Sequence, residues 1–67
     1  MSVAKVTEIT STSKVSFDDA VAKGIERASK TLRNVKGAWV SNMKVKCDDG
    51  KITSYRVDLK VTFVLSD

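Results

Sequence analysis

The most constraining feature of this chain is a long alternation of apolar and polar residues near its end. Residues 51–65, KITSYRVDLKVTFVL, change character at almost every step. Successive side chains of a strand point to opposite faces, so this segment predicts one strand with an apolar and a polar face. The apolar set is Tyr55, Val57, Leu59, Val61, Phe63 and Leu65, and the polar set is Arg56, Asp58, Lys60 and Thr62. Another element must cover the apolar face.

A helix with a matching apolar stripe precedes this strand. Residues 15–35, VSFDDAVAKGIERASKTLRNV, predict a helix that begins after Ser16 and continues to about Val35. Its stripe consists of Phe17, Val21, Gly24, Ala28, Leu32 and Val35. Ser16 followed three residues later by Asp19 resembles a capping box. Gly24 lowers helix propensity, so its place on the stripe predicts a close approach between helix and sheet.

Two further segments predict the remaining strands. Residues 3–10, VAKVTEIT, are rich in β-branched side chains, and residues 38–47, AWVSNMKVKC, are joined to residues 51–65 by the turn DDG. Asp-Gly favours a tight reversal, so the last two strands form a hairpin. The chain is therefore predicted as a single α+β domain over residues 1–67, in the order β-α-β-β. One helix packs on one face of a three-stranded, mainly antiparallel sheet, and the other face stays polar and bare.

The chain is short for a stable core and lacks covalent support. It has 67 residues, Cys47 is its only cysteine, and it has no histidine. An intramolecular disulfide is therefore excluded and a zinc site is hard to build. Self-association is the remaining source of stability, and we expect it to use the bare sheet face and the sheet edges. The sequence shows no signal peptide and no apolar run of membrane-spanning length, so we expect a cytoplasmic protein without a membrane partner.

Charge and motifs argue against several classes of function. The net charge is +4, from 12 Lys and Arg against 8 Asp and Glu, but the charges are interspersed. This distribution is typical of a solvated surface, so no nucleic-acid partner is predicted. No nucleophile-and-base spacing or glycine-rich phosphate loop points to an enzyme. The acid pairs Asp18–Asp19 and Asp48–Asp49 could ligate calcium. Such pairs more often serve a helix cap or a turn, so no metal site is predicted.

The only tryptophan, Trp39, lies in NVKGAWV, residues 34–40. Its small apolar neighbours suit the helix-facing side, so alternation places Trp39 and Gly37 on the polar face of the sheet. The apolar residues that follow have the opposite phase, which predicts a bulge near Ser41–Asn42. On the polar face the indole either fills a contact between subunits or stacks on a planar ligand. If the register differs, the ring instead belongs to the core.

Three segments together resemble the dodecins over nearly the whole chain. They are the opening KVTEI, the helix SFDDAVAKGIERASKTLRNV with its pattern A-x-x-x-G-I-x-R-A-x-x-T-L-R, and the end DGKITSYRVDLKVTFVL. The resemblance implies a βαββ subunit that assembles into a hollow homododecamer, with the sheets inside and the helices outside. It also implies pairs of flavins stacked between symmetry-related tryptophans at subunit interfaces, for storage or protection of flavin rather than turnover.

Both positions that usually contact flavin differ in this chain. Dodecins usually carry the stacking tryptophan directly after the helix, where this chain has Gly37, and a glutamine in the last strand, where it has Arg56. Trp39 shares the face of Gly37 and could stack from a shifted position. Arg56 and Lys36 could bind a phosphate, which favours an anionic ligand. Asp58, two residues after Arg56 on the same face, is a candidate partner that balances its charge. Alternatively, Trp39 and Arg56 stack on each other and close the pocket.

Two hypotheses of function follow. The first is a non-enzymatic storage assembly that sequesters flavin (FMN, riboflavin or FAD) or another flat ligand, with Gly37, Trp39, Arg56 and Lys36 as the site residues. The second is a self-assembling dodecameric shell whose pocket is altered or does not function.

Overall fold

The computed structural model describes residues 2–65 and confirms the β-α-β-β order. The elements are β1 (Ala4–Ser13), α1 (Phe17–Ala28), β2 (Val35–Asp48) and β3 (Lys51–Val64). The sheet order is β1-β3-β2, and β3 pairs antiparallel with both neighbours. The long alternating segment is therefore the central strand, and α1 packs against one face of the sheet.

The core lies between α1 and the apolar face of β3. Val57, Leu59 and Val61 are fully buried, as is Ala20 of the helix. Partly buried apolar residues surround them, namely Ile9, Phe17, Val21, Ile25, Leu32 and Val35. Phe17 closes one end of the core through an edge-to-face contact with Tyr55, with ring centroids 5.2 Å apart. The alternation of β3 thus separates a buried face from a polar one, as the sequence predicts.

Gly24 allows the helix to approach the sheet closely, which confirms the prediction made for it. A Cβ at this position would lie 2.9 Å from Leu59 Cδ1 and 3.0 Å from Ser11 Cβ. Both distances are shorter than a van der Waals contact, and Leu59 is fully buried and has little room to move. Gly24 therefore lowers the helix propensity of this segment but allows α1 to pack closely on the sheet.

The N-terminus of α1 is capped as predicted, with one additional residue. The Ser16 hydroxyl accepts a hydrogen bond from the Asp19 N–H at 2.9 Å. In a capping box the acidic side chain accepts from the N–H of the cap residue. In this protein the Asp19 carboxylate instead accepts a hydrogen bond from the buried Ser13 hydroxyl, at 2.6 Å from Oδ2. The same hydroxyl accepts from the N–H of Val15 at 2.9 Å, so Ser13 links the carboxylate to the start of the helix. Strand β1 extends to Ser13, three residues beyond the predicted end.

The predicted end of the helix is wrong. The helix ends at Ala28, with Ser29 as its C-cap, and not near Val35. Turns follow, and Asn34 adopts a left-handed backbone with φ 60°, a conformation that asparagine tolerates. Its side-chain amide donates to the carbonyl of Val64 at 3.3 Å. Leu32 and Val35 still pack on the core. Their apolar spacing therefore indicates that they are buried, and not that they belong to the helix.

The hairpin is longer than predicted and is bulged at the expected place. Asp48 pairs with Lys51 around a two-residue turn, in which Asp49 and Gly50 have φ values of 52° and 75°. Asp-Gly supports this primed turn because glycine adopts positive φ at little cost. The register shifts between Val40 and Asn42, which confirms the predicted bulge, and also near Gly37 and Cys47.

The helix covers only part of the hairpin. A 12-residue helix spans about 18 Å, whereas a 14-residue strand spans about 46 Å. On the helix side of β2, Val40, Met43 and Val45 consequently remain exposed, with 56% of Met43 accessible. Within residues 2–65, no helix is long and apolar enough to cross a membrane.

We predict that Gly24→Ala destabilises the protein by about 1 kcal/mol. Overpacking costs about 1–3 kcal/mol and alanine recovers at most about 1 kcal/mol of helix propensity. Denaturant unfolding at a fixed protein concentration measures the difference. Gly37→Ala is the matched control, because no heavy atom lies within 4 Å of a Cβ placed there. A Gly24→Ala protein as stable as the parent would contradict the close approach.

Candidate ligand-binding face

The sheet side away from α1 is called here the open face. It carries alternate residues of all three strands, which the pairing arranges in rows across the sheet. The central rows are Val6–Thr62–Gly37, Glu8–Lys60–Trp39, Thr10–Asp58–Asn42, Thr12–Arg56–Lys44 and Ser54–Lys46. The face therefore combines one aromatic side chain with four cations and two carboxylates.

Trp39 stands on the open face, as the alternation predicts. It pairs with Lys60, and 64% of it is exposed. The Lys60 ammonium lies 4.8 Å from the centroid of the indole ring, a cation–π contact. The alternative contact between Trp39 and Arg56 does not form within the subunit, because Arg56 belongs to a different row and binds Asp58.

Gly37 leaves free space beside Trp39. It pairs with Thr62, one row away from the Trp39–Lys60 row. No heavy atom lies within 4 Å of the position that its Cβ would occupy. The position where the resemblance implies a tryptophan is therefore open within the subunit, and no side chain of the described residues fills it.

Arg56 is bound to Asp58 on the same strand. Arg56 Nε lies 3.4 Å from Asp58 Oδ1, and the Thr10 hydroxyl donates to the same oxygen at 3.0 Å. The hydrogen bond from Thr10 lowers the pKa of Asp58 most, and the positive charge of Arg56 lowers it further. The carboxylate expected to balance Arg56 is therefore present and ionised at neutral pH.

A basic groove lies at the hairpin end of the open face. It has a volume of about 350 Å³ and is lined by Thr12, Lys44, Val45, Lys46, Ser54 and Arg56. Lys44 is directly opposite Arg56 in the register, an arrangement of like charges that is unfavourable by itself. The groove therefore offers three cations and two hydroxyls, a set suited to an anion such as a phosphate.

Sequence reasoning missed Lys44 and Lys46 as site residues. They alternate with the apolar residues Met43, Val45 and Cys47, and the bulge before them puts them on the open face. Applying the predicted bulge to the strand would have found them. Lys36, in contrast, does not lie beside Arg56 within the subunit. It precedes Gly37, whose partner Thr62 follows Arg56 by six residues, about 20 Å along a strand.

The acid pairs considered for calcium have other contacts or positions in this subunit. Asp19 accepts from Ser13 and forms an ion pair with Lys23 at 3.2 Å. Asp48 and Asp49 lie at the exposed hairpin turn. In the part of the chain that the structure describes, no group of three His, Cys, Asp or Glu residues is close enough to hold a metal ion.

Comparison of the sequence with known proteins identifies the same family by two routes. The family model named Dodecin matches residues 3–66. Calcium dodecin of Mycobacterium tuberculosis is 39% identical over 64 residues, which cover 94% of this chain and 89% of that protein.

Solved structures agree with these sequence matches. The dodecin of Streptomyces davaonensis is 36% identical with a TM-score of 0.91, over 98% of this chain and 97% of that one. The crystal structure of the M. tuberculosis protein, described as calcium chelating with a novel calcium-binding site, is 34% identical. Its TM-score is 0.80, over 96% of this chain and 91% of that one.

Matches of this extent show that the chain belongs to the dodecin family. Dodecins form homo-oligomers and bind small ligands. The open face therefore belongs to a dodecin-type small-ligand-binding protein.

The Asp58 site predicts a specific dependence of stability on pH. The pKa of Asp58 is lowered in the folded state. Its ionised form therefore contributes stability above the unfolded pKa of about 3.9, and this contribution is lost as the pH falls through the lower folded value. The parent should be more stable than Asp58→Asn at pH 6, and the difference should shrink towards pH 2. Denaturant unfolding at several pH values measures it, and a difference that stays constant would contradict the assignment.

Proposed function

We propose that this protein is a non-enzymatic storage assembly, a hollow homododecamer that sequesters the phosphorylated flavin FMN at its subunit interfaces. The observation that carries the proposal is the position of Trp39. An exposed indole stands on the open face, one row from the open position of Gly37, and a basic groove lies on the same face.

Trp39 can replace the missing tryptophan by stacking from the neighbouring row. Stacking of a base-sized ring on an aromatic side chain contributes about 1–3 kcal/mol. The free space at Gly37 gives a flat ring system room beside the indole. The stacking surface lost at Gly37 is thus supplied by Trp39 in the neighbouring row, and the site keeps an aromatic ring on which a ligand stacks.

The basic groove supports a phosphorylated ligand. Lys44, Lys46 and Arg56 line it, and their mutual repulsion is relieved when an anion lies between them. The groove lies two rows from Trp39, so the ring and the phosphate of one ligand would occupy separate rows. FMN separates these groups by its ribityl chain. Riboflavin lacks the phosphate and would leave the groove without an anion.

Exposed apolar surface supports the assembly. Val40, Met43 and Val45 remain accessible on the helix side of β2, where α1 does not reach. A chain with a core this small gains stability when such residues are buried by another copy. The family relationship favours a closed dodecamer. The exposed free thiol of Cys47 supports a location in the reducing cytoplasm.

A shell with an altered pocket is the second candidate function, and two contacts favour it. Arg56 can only donate hydrogen bonds, whereas glutamine both donates and accepts, so Arg56 matches a flavin ring edge less well. In addition, Lys60 already covers one face of the indole. Such a protein would form the same assembly and retain no flat ligand.

The relative named calcium dodecin raises calcium as a ligand. Among residues 2–65 of one subunit, no cluster of three acidic or other metal-ligating residues supports this. The exposed indole and the basic groove on the open face support flavin as the ligand we propose. Adding calcium in the binding experiments below, with chelator as the control, separates the two.

We predict that the protein quenches the fluorescence of FMN at micromolar concentration and that Trp39→Ala weakens binding. Loss of one stack lowers affinity by about 5- to 150-fold. Trp39→Phe keeps a smaller π-face and is the matched control, with an intermediate loss. Adding Gly37→Trp to Trp39→Ala should restore part of the affinity, since the position is open. Unquenched FMN, or equal binding by Trp39→Ala, would contradict flavin stacking on Trp39.

The groove predicts selectivity for the phosphate. Lys44→Met should lower the affinity for FMN about two- to five-fold, the effect of an exposed ion pair, and leave riboflavin binding unchanged. Lys46→Met should act in the same direction, and Lys36→Met serves as the control on the same strand. Parallel titrations with FMN and riboflavin measure the ratio. Equal losses for both ligands would show that Lys44 does not bind the phosphate.

A further inference from the structure

Lys60 is the central residue of the row that contains Trp39. It lies between two possible partners, with Glu8 opposite it on β1 and Trp39 opposite it on β2. Within residues 2–65 the ion pairs closer than 4.0 Å are Lys23–Asp19 and Arg56–Asp58, and the Lys60 ammonium lies instead 4.8 Å from the indole centroid. The ammonium thus rests on the aromatic ring rather than on the carboxylate.

This contact constrains any ligand that stacks on Trp39. An ammonium over one ring face excludes a second flat group from that face. A ligand must then stack on the opposite face, with Lys60 retained behind the ring, or displace Lys60 towards Glu8. The two arrangements make opposite predictions for the removal of Lys60.

We propose that Lys60 is a positioning residue for Trp39 and selects the ring face that a flat ligand uses. Lys60 stays behind the indole, fixes its orientation on the open face, and leaves the opposite face for an aromatic ligand. Its positive charge behind the ring also favours a flat ligand that carries negative charge. The part that concerns the ligand rests on the proposed function, whereas the positioning of Trp39 does not.

The geometry itself supports retention of Lys60. Its backbone is fixed in the central strand, directly opposite Trp39, so its side chain reaches the indole without crossing a row. Lys60 is half-buried, which limits the conformations that its chain can take, whereas the indole is largely exposed. A cation held in this way restricts the ring more than solvent would. A restricted ring loses less side-chain entropy when a ligand stacks on it.

The first experiment needs no ligand. Trp39 is the only tryptophan, so its fluorescence reports on this site alone. Lys60→Met should make the indole more accessible to acrylamide and raise its quenching constant, and Lys60→Arg should restore the parent value, because arginine also stacks on aromatic faces. Lys30→Met, at an exposed position outside the sheet, is the control. Equal quenching of Lys60→Met and the parent would overturn the positioning role.

The second experiment gives the direction of the effect on binding. If Lys60 is retained, Lys60→Met lowers the affinity for FMN by about two- to five-fold, the value of an exposed cation–π contact. Glu8→Gln then causes no loss, because Lys60 does not need the carboxylate. Tighter FMN binding by Lys60→Met, or weaker binding by Glu8→Gln, would show that the ligand displaces Lys60 and would overturn the face selection.

The two experiments test separate parts of the proposal. If FMN does not bind at all, the proposed function fails, and the acrylamide experiment still decides the position of the indole. Lys60→Gln serves as a second neutral variant, since it adds no apolar side chain to the exposed face. Circular dichroism and light scattering on each variant verify that the fold and the assembly are kept. Agreement of the Met and Gln variants assigns the effect to the lost charge.

Discussion

The central position of β3 determines both the core and the open face. Its odd-numbered residues Val57, Leu59 and Val61 are buried beneath α1, while its even-numbered residues carry the charges of the open face. Because both neighbouring strands pair with β3, it fixes every row of the open face. A slip of one residue would bury charges and expose the core, so the apolar contacts with α1 also hold the register of the candidate site. Gly24 strengthens this link by letting the helix lie against Leu59.

Charge on the open face supports the proposal that this surface holds an anionic ligand. Lys44 and Arg56 oppose each other across the hairpin, and Asp58 is shared between Arg56 and Thr10. In an assembly with the sheets inside, several copies of these cations would face one interior. Their repulsion would grow in the confined space and would be lowered by bound anions. The same surface that destabilises an empty shell would therefore favour retention of a phosphorylated ligand.

Alternation and turn chemistry allowed most of the fold to be predicted from the sequence. The two faces of β3, the Asp-Gly hairpin, the bulge after Val40 and the outward side of Trp39 all follow from local rules. The helix end could not be predicted in this way, because Leu32 and Val35 keep the spacing of a helix while the chain turns at Asn34 to enter β2. Within the candidate site, the sequence identified Trp39 and the Arg56–Asp58 pair. It missed Lys44 and Lys46, although the predicted bulge places them on the open face. It missed the role of Lys60, because the residues opposite Lys60 depend on the register across strands.

The central claim is that a displaced tryptophan keeps a flavin site in an assembly of dodecin type. A native mass spectrum of protein purified gently from cells tests it most directly, because it reports the number of subunits and the mass of any bound ligand together. We predict a dodecamer that carries FMN, and loss of that mass from the Trp39→Ala protein while the dodecamer persists. A dodecamer that retains no flat ligand, or only calcium, would contradict the claim, and a monomer would contradict the assembly on which it depends.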